Sequence, residues 1–325
     1  MRRRVIGLIL AGLGAFLFVA ALLARTYVPG KVVKYPLNEY LVTQLVGHDV
    51  SYFSATKVKP MTGATMMVTS TVKGDGKAGT SSTAVWDTFT YLFDQTNHLK
   101  FSYNIRRFAF NRQTAELVMC CGANVDGNAG VRQTGLVGFL WPMGTQQHTY
   151  QIFDPAINQA RPATYEGTTK IAGISVYKFV EKVAPTRSGQ ETVPRSLVGM
   201  TGNDTVTLPE MTTETNTFYV DPLTGAQLNE TQNEHVALVD STGAERLLLL
   251  NASLSFTPQS LAKVVHIDKK ARNEITLLKV TVPLAAGVVG IVLLVGGILL
   301  ARPRRDDQPH YSGSESTEPA MDPAL

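Results

Sequence analysis

Residues 213–238 read TETNTFYVDPLTGAQLNETQNEHVAL, and their pattern decides the fold class. Thr215, Thr217 and Tyr219 alternate with Asn216, Phe218 and Val220, the two faces of an extended strand. Asp221-Pro222-Leu223-Thr224-Gly225 follows at once. Proline fixes φ there and glycine supplies a positive φ, so the chain turns. Ala226–Leu238 then returns as a second strand, and the whole reads as an antiparallel hairpin. The same texture of Thr, Val, Tyr and Phe, punctuated by Gly, Pro, Asn and Asp, extends outward on both sides. It predicts further strands at Thr65–Val72, Thr83–Phe93, Ala115–Cys120, Lys170–Val183 and Arg246–Phe256, with a break at Ala172-Gly173. Gly74–Ser82 and Ala184–Asp204 read as exposed loops. The expected fold class is a mainly β domain, antiparallel with a minor helical part, set between two transmembrane helices.

Those helices are written at the two ends. Val5–Ala24 carries no charge, and at about 1.5 Å per residue it spans roughly 30 Å of hydrocarbon. A cleaved signal peptide is the competing reading, given Val19-Ala20-Ala21. The run is longer than an ordinary signal core, which favours a retained anchor. Val280–Ala301 is again free of charge. Arg2, Arg3 and Arg4 precede the first run, while Arg302, Arg304 and Arg305 follow the second, which places both termini in the cytoplasm. The expected organisation is a cytoplasmic stub at 1–4, a span at 5–24 and an extracytoplasmic β-rich domain at 25–279. A span at 280–301 and a disordered cytoplasmic tail at 302–325 complete it. Within the domain, 258–279 reads as a membrane-proximal helix, with Thr257 as its cap and Pro258 at its first position.

Composition narrows the function. The chain has 325 residues, of which 44% are apolar and only 17% charged, so most of it is ordered. Its net charge of +4 is too diffuse to argue for nucleic acid. Two cysteines exclude a disulfide-rich miniprotein and a four-cysteine zinc module. The six histidines are scattered, and no zinc-protease, nucleophile-elbow, P-loop or dinucleotide motif occurs. Neither an enzyme, nor a cofactor, nor a metal site is expected. Cys120-Cys121 is the unusual local feature: outside the cytoplasm adjacent cysteines can close a vicinal disulfide. Two buried thiols or a redox pair are the alternatives. Gly135–Met143, GLVGFLWPM, reads either as a buried core strand ending at Pro142 or as an apolar lining. On the second reading Phe139, Leu140, Trp141, Tyr150 and Phe153 would line a groove for acyl chains, with Gln146, Gln147 and His148 at its mouth.

Taken together, YPLNEY (35–40), CCGANVDG (120–127), WPMGTQQHTYQIFDP (141–155), YEGTTKIAGISVYKF (165–179) and FYVDPLTG (218–225), between two terminal spans, resemble an actinobacterial membrane-protein family labelled porin PorA. The resemblance covers nearly the whole chain. It implies a cell-envelope protein with a β-rich domain outside the plasma membrane. It also implies a role in lipid trafficking, handling a trehalose-linked mycolate glycolipid beside its exporter, and it carries over no catalytic residue. The two-span plan is similar in topology to class B scavenger receptors, which move lipids. A membrane-spanning β-barrel needs closed strands with a continuous lipid-facing alternation, and two helical spans do not supply it. The function expected is therefore a membrane-anchored lipid- or glycolipid-binding protein, the alternative being a ligand-free envelope scaffold or adaptor.

Overall fold

Residues 2–302 are described by the structure, a computed structural model. The chain divides into two compact units, 1–30 with 277–325, and 31–276. The larger unit is built on strands β1 (Tyr40–Ser54), β2 (Lys59–Gly74), β3 (Thr83–Asp94), β4 (Leu99–Asn111), β5 (Leu117–Val118) and β6 (Asn124–Val125). They are followed by β7 (Tyr150–Asp154), β8 (Gln159–Ile171), β9 (Ile174–Pro194), β10 (Thr205–Val220), β11 (Gln227–Val239) and β12 (Glu245–Phe256). All join one antiparallel sheet in the order β5-β4-β3-β2-β1-β12-β11-β10-β9-β8-β7, with β6 beside β4. The two halves of the sheet are successive hairpins that meet where β1 pairs with β12.

The sheet curls into a half-barrel, and Gly135–Val137 joins its two edges. On one side Leu117 N donates to Gly135 O (2.8 Å) and Val137 N to Ala115 O (3.1 Å). On the other, Leu136 N donates to Gln151 O (2.8 Å) and Phe153 N to Leu136 O (2.9 Å). A strand edge left open would expose unpaired amides. This strap satisfies both edges at one level. Gly135 is required there: its φ is +80°, and a Cβ would lie 2.6 Å from Gln151 O.

Alternation along the strands assigns the faces. In β10, Glu214, Asn216, Phe218 and Val220 are buried, while Thr213, Thr215, Thr217 and Tyr219 are half-buried on the other face. Outward positions such as Thr164, Glu166, Asn233, Asn251 and Ser253 are polar and exposed. The hairpin turn at 221–225 forms as its residues dictate, with Gly225 at φ +73°. A Cβ on Gly225 would meet Trp141 O at 2.2 Å, and Trp141 N donates to Gly225 O (3.0 Å).

Helix α3 (Pro258–Thr276) follows α1 (Arg2–Thr26) and the single turn α2 (Pro29–Val32) in chain order. Thr257 Oγ1 accepts from Ser260 N (3.2 Å), the expected N-cap. Ser260 Oγ in turn accepts from Gln44 N of β1 (2.7 Å). The helix lays Leu261 and Val265 on Ile174, Val176 and Leu228. Arg272 grips the fully buried Asp221 through both carboxylate oxygens at 2.6 Å, tying α3 to the hairpin turn. The α-helical part ends at Thr276 and a π-helical stretch covers Leu277–Thr281, so 258–279 is helical throughout.

In the smaller unit, α1 packs antiparallel against α4 (Val282–Ala301) through small residues spaced seven apart. Gly7, Gly14 and Ala21 are buried on α1; Pro283, Gly290 and Gly297 are buried on α4. A Cβ on Gly14 would lie 2.4 Å from Leu294 N, and one on Gly297 would lie 2.4 Å from Ala11 N. Backbones this close admit only glycine. The start of α1 lies beside the end of α4, so both ends of the helix pair are on one side.

Several expectations need correction. Ala184–Pro194 is not a loop but the outer half of β9, paired with Thr205–Thr212. The register shifts between Thr212 and Glu214, where Pro185 sits in a bulge and no ladder amide is needed. Ala115–Cys120 contributes only Leu117–Val118 to the sheet, and Gly135–Met143 is a strap rather than a strand. Strands β1, β4, β6 and β7 were not expected, nor was β8 before Lys170. The proposed tail beyond 302 lies outside the described residues.

Candidate functional site

Inside the curl lies a cavity of about 300 Å³ with two unlike walls. One alternates apolar side chains with hydroxyls: Leu41, Thr43 and Leu45 of β1, Val68, Ser70 and Val72 of β2, and Thr88 and Thr90 of β3 face it, with Phe256 of β12 and the strap's Phe139. The opposite wall, from β9 to β11, presents Glu181, Glu214, Asn216, Glu230, Gln232 and Glu234. Register explains the grouping: Asn216 pairs across to Glu181 and Gln232, Glu214 to Glu234, and Phe218 to Glu230. Side chains directly opposite on one face are close neighbours, so three strands bring their polar residues to one patch.

Hydrogen bonds organise that patch without saturating it. Asn216 Nδ2 donates to Glu181 Oε2 (3.0 Å) and Glu214 Oε2 (2.8 Å). Glu230 accepts from Gln227 Nε2 (2.8 Å) and Gln232 Nε2 (2.6 Å). Glu181 Oε1, Glu214 Oε1, Asn216 Oδ1, Gln227 Oε1 and Asp154 Oδ2 are buried yet accept nothing within the protein. Burial pushes the carboxyls up from the ordinary range, Glu181, Glu230 and Glu234 to about 7 and Glu214 to about 9. Asp154 is raised for the same reason.

Arg106 of β4 completes the site from the far side. It is 3% exposed, and its guanidinium carbon lies 4.6 Å from the ring centres of both Phe108 and Phe153. Nε donates to Gln133 Oε1 (2.7 Å) and Nη1 to Val137 O (2.9 Å), whereas Nη2 has no partner. Desolvation pulls its guanidinium down to about 9, opposed by the charge of Asp154.

Of the residues the sequence singled out, Phe139 and Phe153 line this cavity. Trp141 does not: it is fully buried, stacked on Phe179 at 4.3 Å and edged by Tyr150 at 5.5 Å. Leu140 packs beside the cluster around Trp86, Phe108 and Phe110. Gln146, Gln147 and His148 are exposed on the following loop. Cys120 and Cys121 are joined by a disulfide, away from the cavity lining. Arg107 Nε donates to Cys121 O (3.0 Å) while its other nitrogens hold Asp75 and Asp87. Among the described residues no group of three or more His, Cys, Asp or Glu could hold a metal ion.

Sequence reasoning missed Arg106, Asp154, Glu181, Glu214, Glu230 and Glu234. A signal existed at Glu214, which shares the inward parity of Asn216, Phe218 and Val220 in the alternating strand.

Comparison with curated proteins finds no match. The family model described as Porin PorA matches residues 6–299. That match runs through both apolar helices and the whole half-barrel with its cavity, and the chain belongs to the porin PorA family.

Proposed function

We propose that this protein is anchored in the plasma membrane by two spans, with both termini cytoplasmic, and holds a lipid or glycolipid in its half-barrel while it moves through the cell envelope. The observation that carries the reading is one cavity in which Leu41, Leu45, Val68, Val72 and Phe256 stand opposite a carboxylate- and amide-bearing wall, so that an amphiphile finds both apolar and hydrogen-bonding surface. Each methylene buried against Leu45, Val68 or Val72 contributes about 0.8 kcal/mol. Two anchors keep the domain at a membrane surface, so modest affinity suffices at high effective concentration. An envelope lipid exporter is the partner such a role calls for. The outward positions of β8, β11 and β12 are polar, which supports a domain in water rather than a membrane-spanning barrel with a continuous apolar band outward.

The test is native mass spectrometry of the full chain released from nanodiscs. A retained one-to-one lipid adduct is expected, and it should be lost in Ser70→Phe, which fills the cavity from β2. Bare protein from both chains would contradict the reading. An adaptor role has its own observation: Phe89, Tyr103 and Ile105, 44%, 67% and 45% exposed, form an outward apolar patch on β3 and β4. Loss of a co-purifying membrane protein in Tyr103→Ser, with lipid retained, would favour it.

A further inference from the structure

The outer edge of β4 is only half covered. There β5 and β6 pair with Arg106, Arg107, Ala109 and Phe110. Asp126 seals the next position: its N donates to Ile105 O (2.7 Å) and its Oδ1 accepts from Ile105 N (2.8 Å). Over residues 99–104 β4 has β3 on one side and, among the described residues, no strand on the other. Ile105 points its N–H and C=O away from β3, and every second residue of an antiparallel ladder does so. Tyr103 is the next.

The other bare edge of the sheet is blunted. Beyond residues 159–163, where β7 covers it, β8 carries the exposed Glu166, Thr168 and Lys170, with a bulge between Tyr165 and Gly167. Charges and bulges keep an open edge from accepting another strand. On β4 the register shifts only at the start, where Phe101 turns in onto Tyr52 (5.3 Å between ring centres). Its outward side chains are Lys100, Tyr103 and Ile105. Tyr103, 67% exposed, lies 6.2 Å from Phe89, and Tyr91 and Phe93 continue that row of rings along β3.

We infer that β4 accepts an extended segment of another protein as an added antiparallel strand. Its alternate side chains are apolar and lie on the rings of Phe89 and Tyr103, and its C-terminal end carries an acid. This deepens the adaptor reading and is independent of what the cavity holds. A row of open amides is completed by another backbone, whereas a lipid chain would cover the rings and strip water from amides it cannot bond. The direction follows from the sheet, in which every paired strand is antiparallel. The charge follows from Lys100, which is exposed and has no ion pair among the described residues. Both oxygens of Asp126 are taken, by Ile105 N and by Asn104 Nδ2 (2.7 Å). An antiparallel strand sets its C-terminal end beside Lys100.

The experiment uses the full chain in phosphatidylcholine nanodiscs and a capped fluorescent peptide, Thr-Tyr-Thr-Phe-Thr-Asp, as long as the bare edge. Anisotropy should show saturable binding below about 1 mM. Two analogues carry backbone N-methyl groups on complementary sets of alternate residues. An added strand uses only every second N–H, so one analogue should bind at least about tenfold weaker and the other within about twofold. Lys100→Glu should reverse the preference between this peptide and one ending in lysine. Equal effects of the two methylated sets overturn the strand pairing and leave the adaptor's outward patch standing. No saturable binding overturns the inference, while the co-purification test of the adaptor reading is unaffected. Disulfide-linked pairs of a Ser102→Cys chain would assign the edge to a second copy. Labels on Phe89 and Tyr103 from a diazirine phosphatidylcholine would assign the rings to the membrane. Either result overturns the inference.

Discussion

Arg106, clamped between Phe108 and Phe153 with two hydrogen bonds to the strap side, holds β4 to β7 and Gln133. Arg106→Leu leaves Gln133 Oε1 and Val137 O unpaired and should cost about 3 kcal/mol in chemical denaturation. Trp141→Ala should cost about 3–5 kcal/mol, because it opens a void against Phe179 and Phe218. The glutamates set a pH dependence. Their carboxyls lie higher in the folded chain than the ordinary value of 4.5. The folded state therefore binds more protons than the unfolded one between about pH 4.5 and 9, and stability falls as pH rises through that window. The melting temperature should drop from pH 5 to pH 8.5, and Glu214→Gln should flatten its upper part. A temperature that rises with pH would contradict the burial assigned to these side chains. At this scale the sequence could be read only by parity. Glu214 stood on the face of Phe218, whereas β11 is polar on both faces and gave no clue to Glu230 and Glu234.

Among the elements, the hairpin β10–β11 and the two apolar helices were legible because periodicity of 2 and runs of uncharged residues are local properties. Strand β1 was not, since its alternation breaks between Gly47 and Val50, where Asp49 takes φ +57° and the register shifts. The outer half of β9 was hidden by Pro185, Gly189 and Pro194, which its pairing with β10 absorbs through two bulges. The strap was unreadable locally, because two edges distant in sequence define it. The helix pair makes its own prediction. A Cβ on Gly287 lies 3.8 Å from that of Ala21, a spacing suited to a disulfide of about 3.5–4.5 Å between Cβ atoms. An Ala21→Cys, Gly287→Cys chain should cross-link on oxidation in membranes. Adding Gly14→Leu, which forces the backbones apart at Leu294, should abolish the cross-link. Its absence in the first chain would argue against a retained, paired first helix.

For the whole molecule, the cavity is a product of the curl of the sheet. Successive hairpins of alternating residues fill most of the interior. Between β1–β3 and β9–β11 they leave a cavity whose opposed walls differ in polarity. Neither wall is visible from any one segment: Val68 meets Leu45 only through the β1–β2 register, and Glu214 meets Glu234 only through β10–β11. The most direct measurement is photo-cross-linking of the full chain in membranes containing a glycolipid with a diazirine in its acyl chain, followed by peptide mapping. Labelled residues should include inward positions of β1 and β2, among them Leu45, Val68 and Val72, besides the two helices, and Ser70→Phe should remove the strand labels alone. Labels confined to the helices, with the inner faces of β1 and β2 unmarked, would contradict the account.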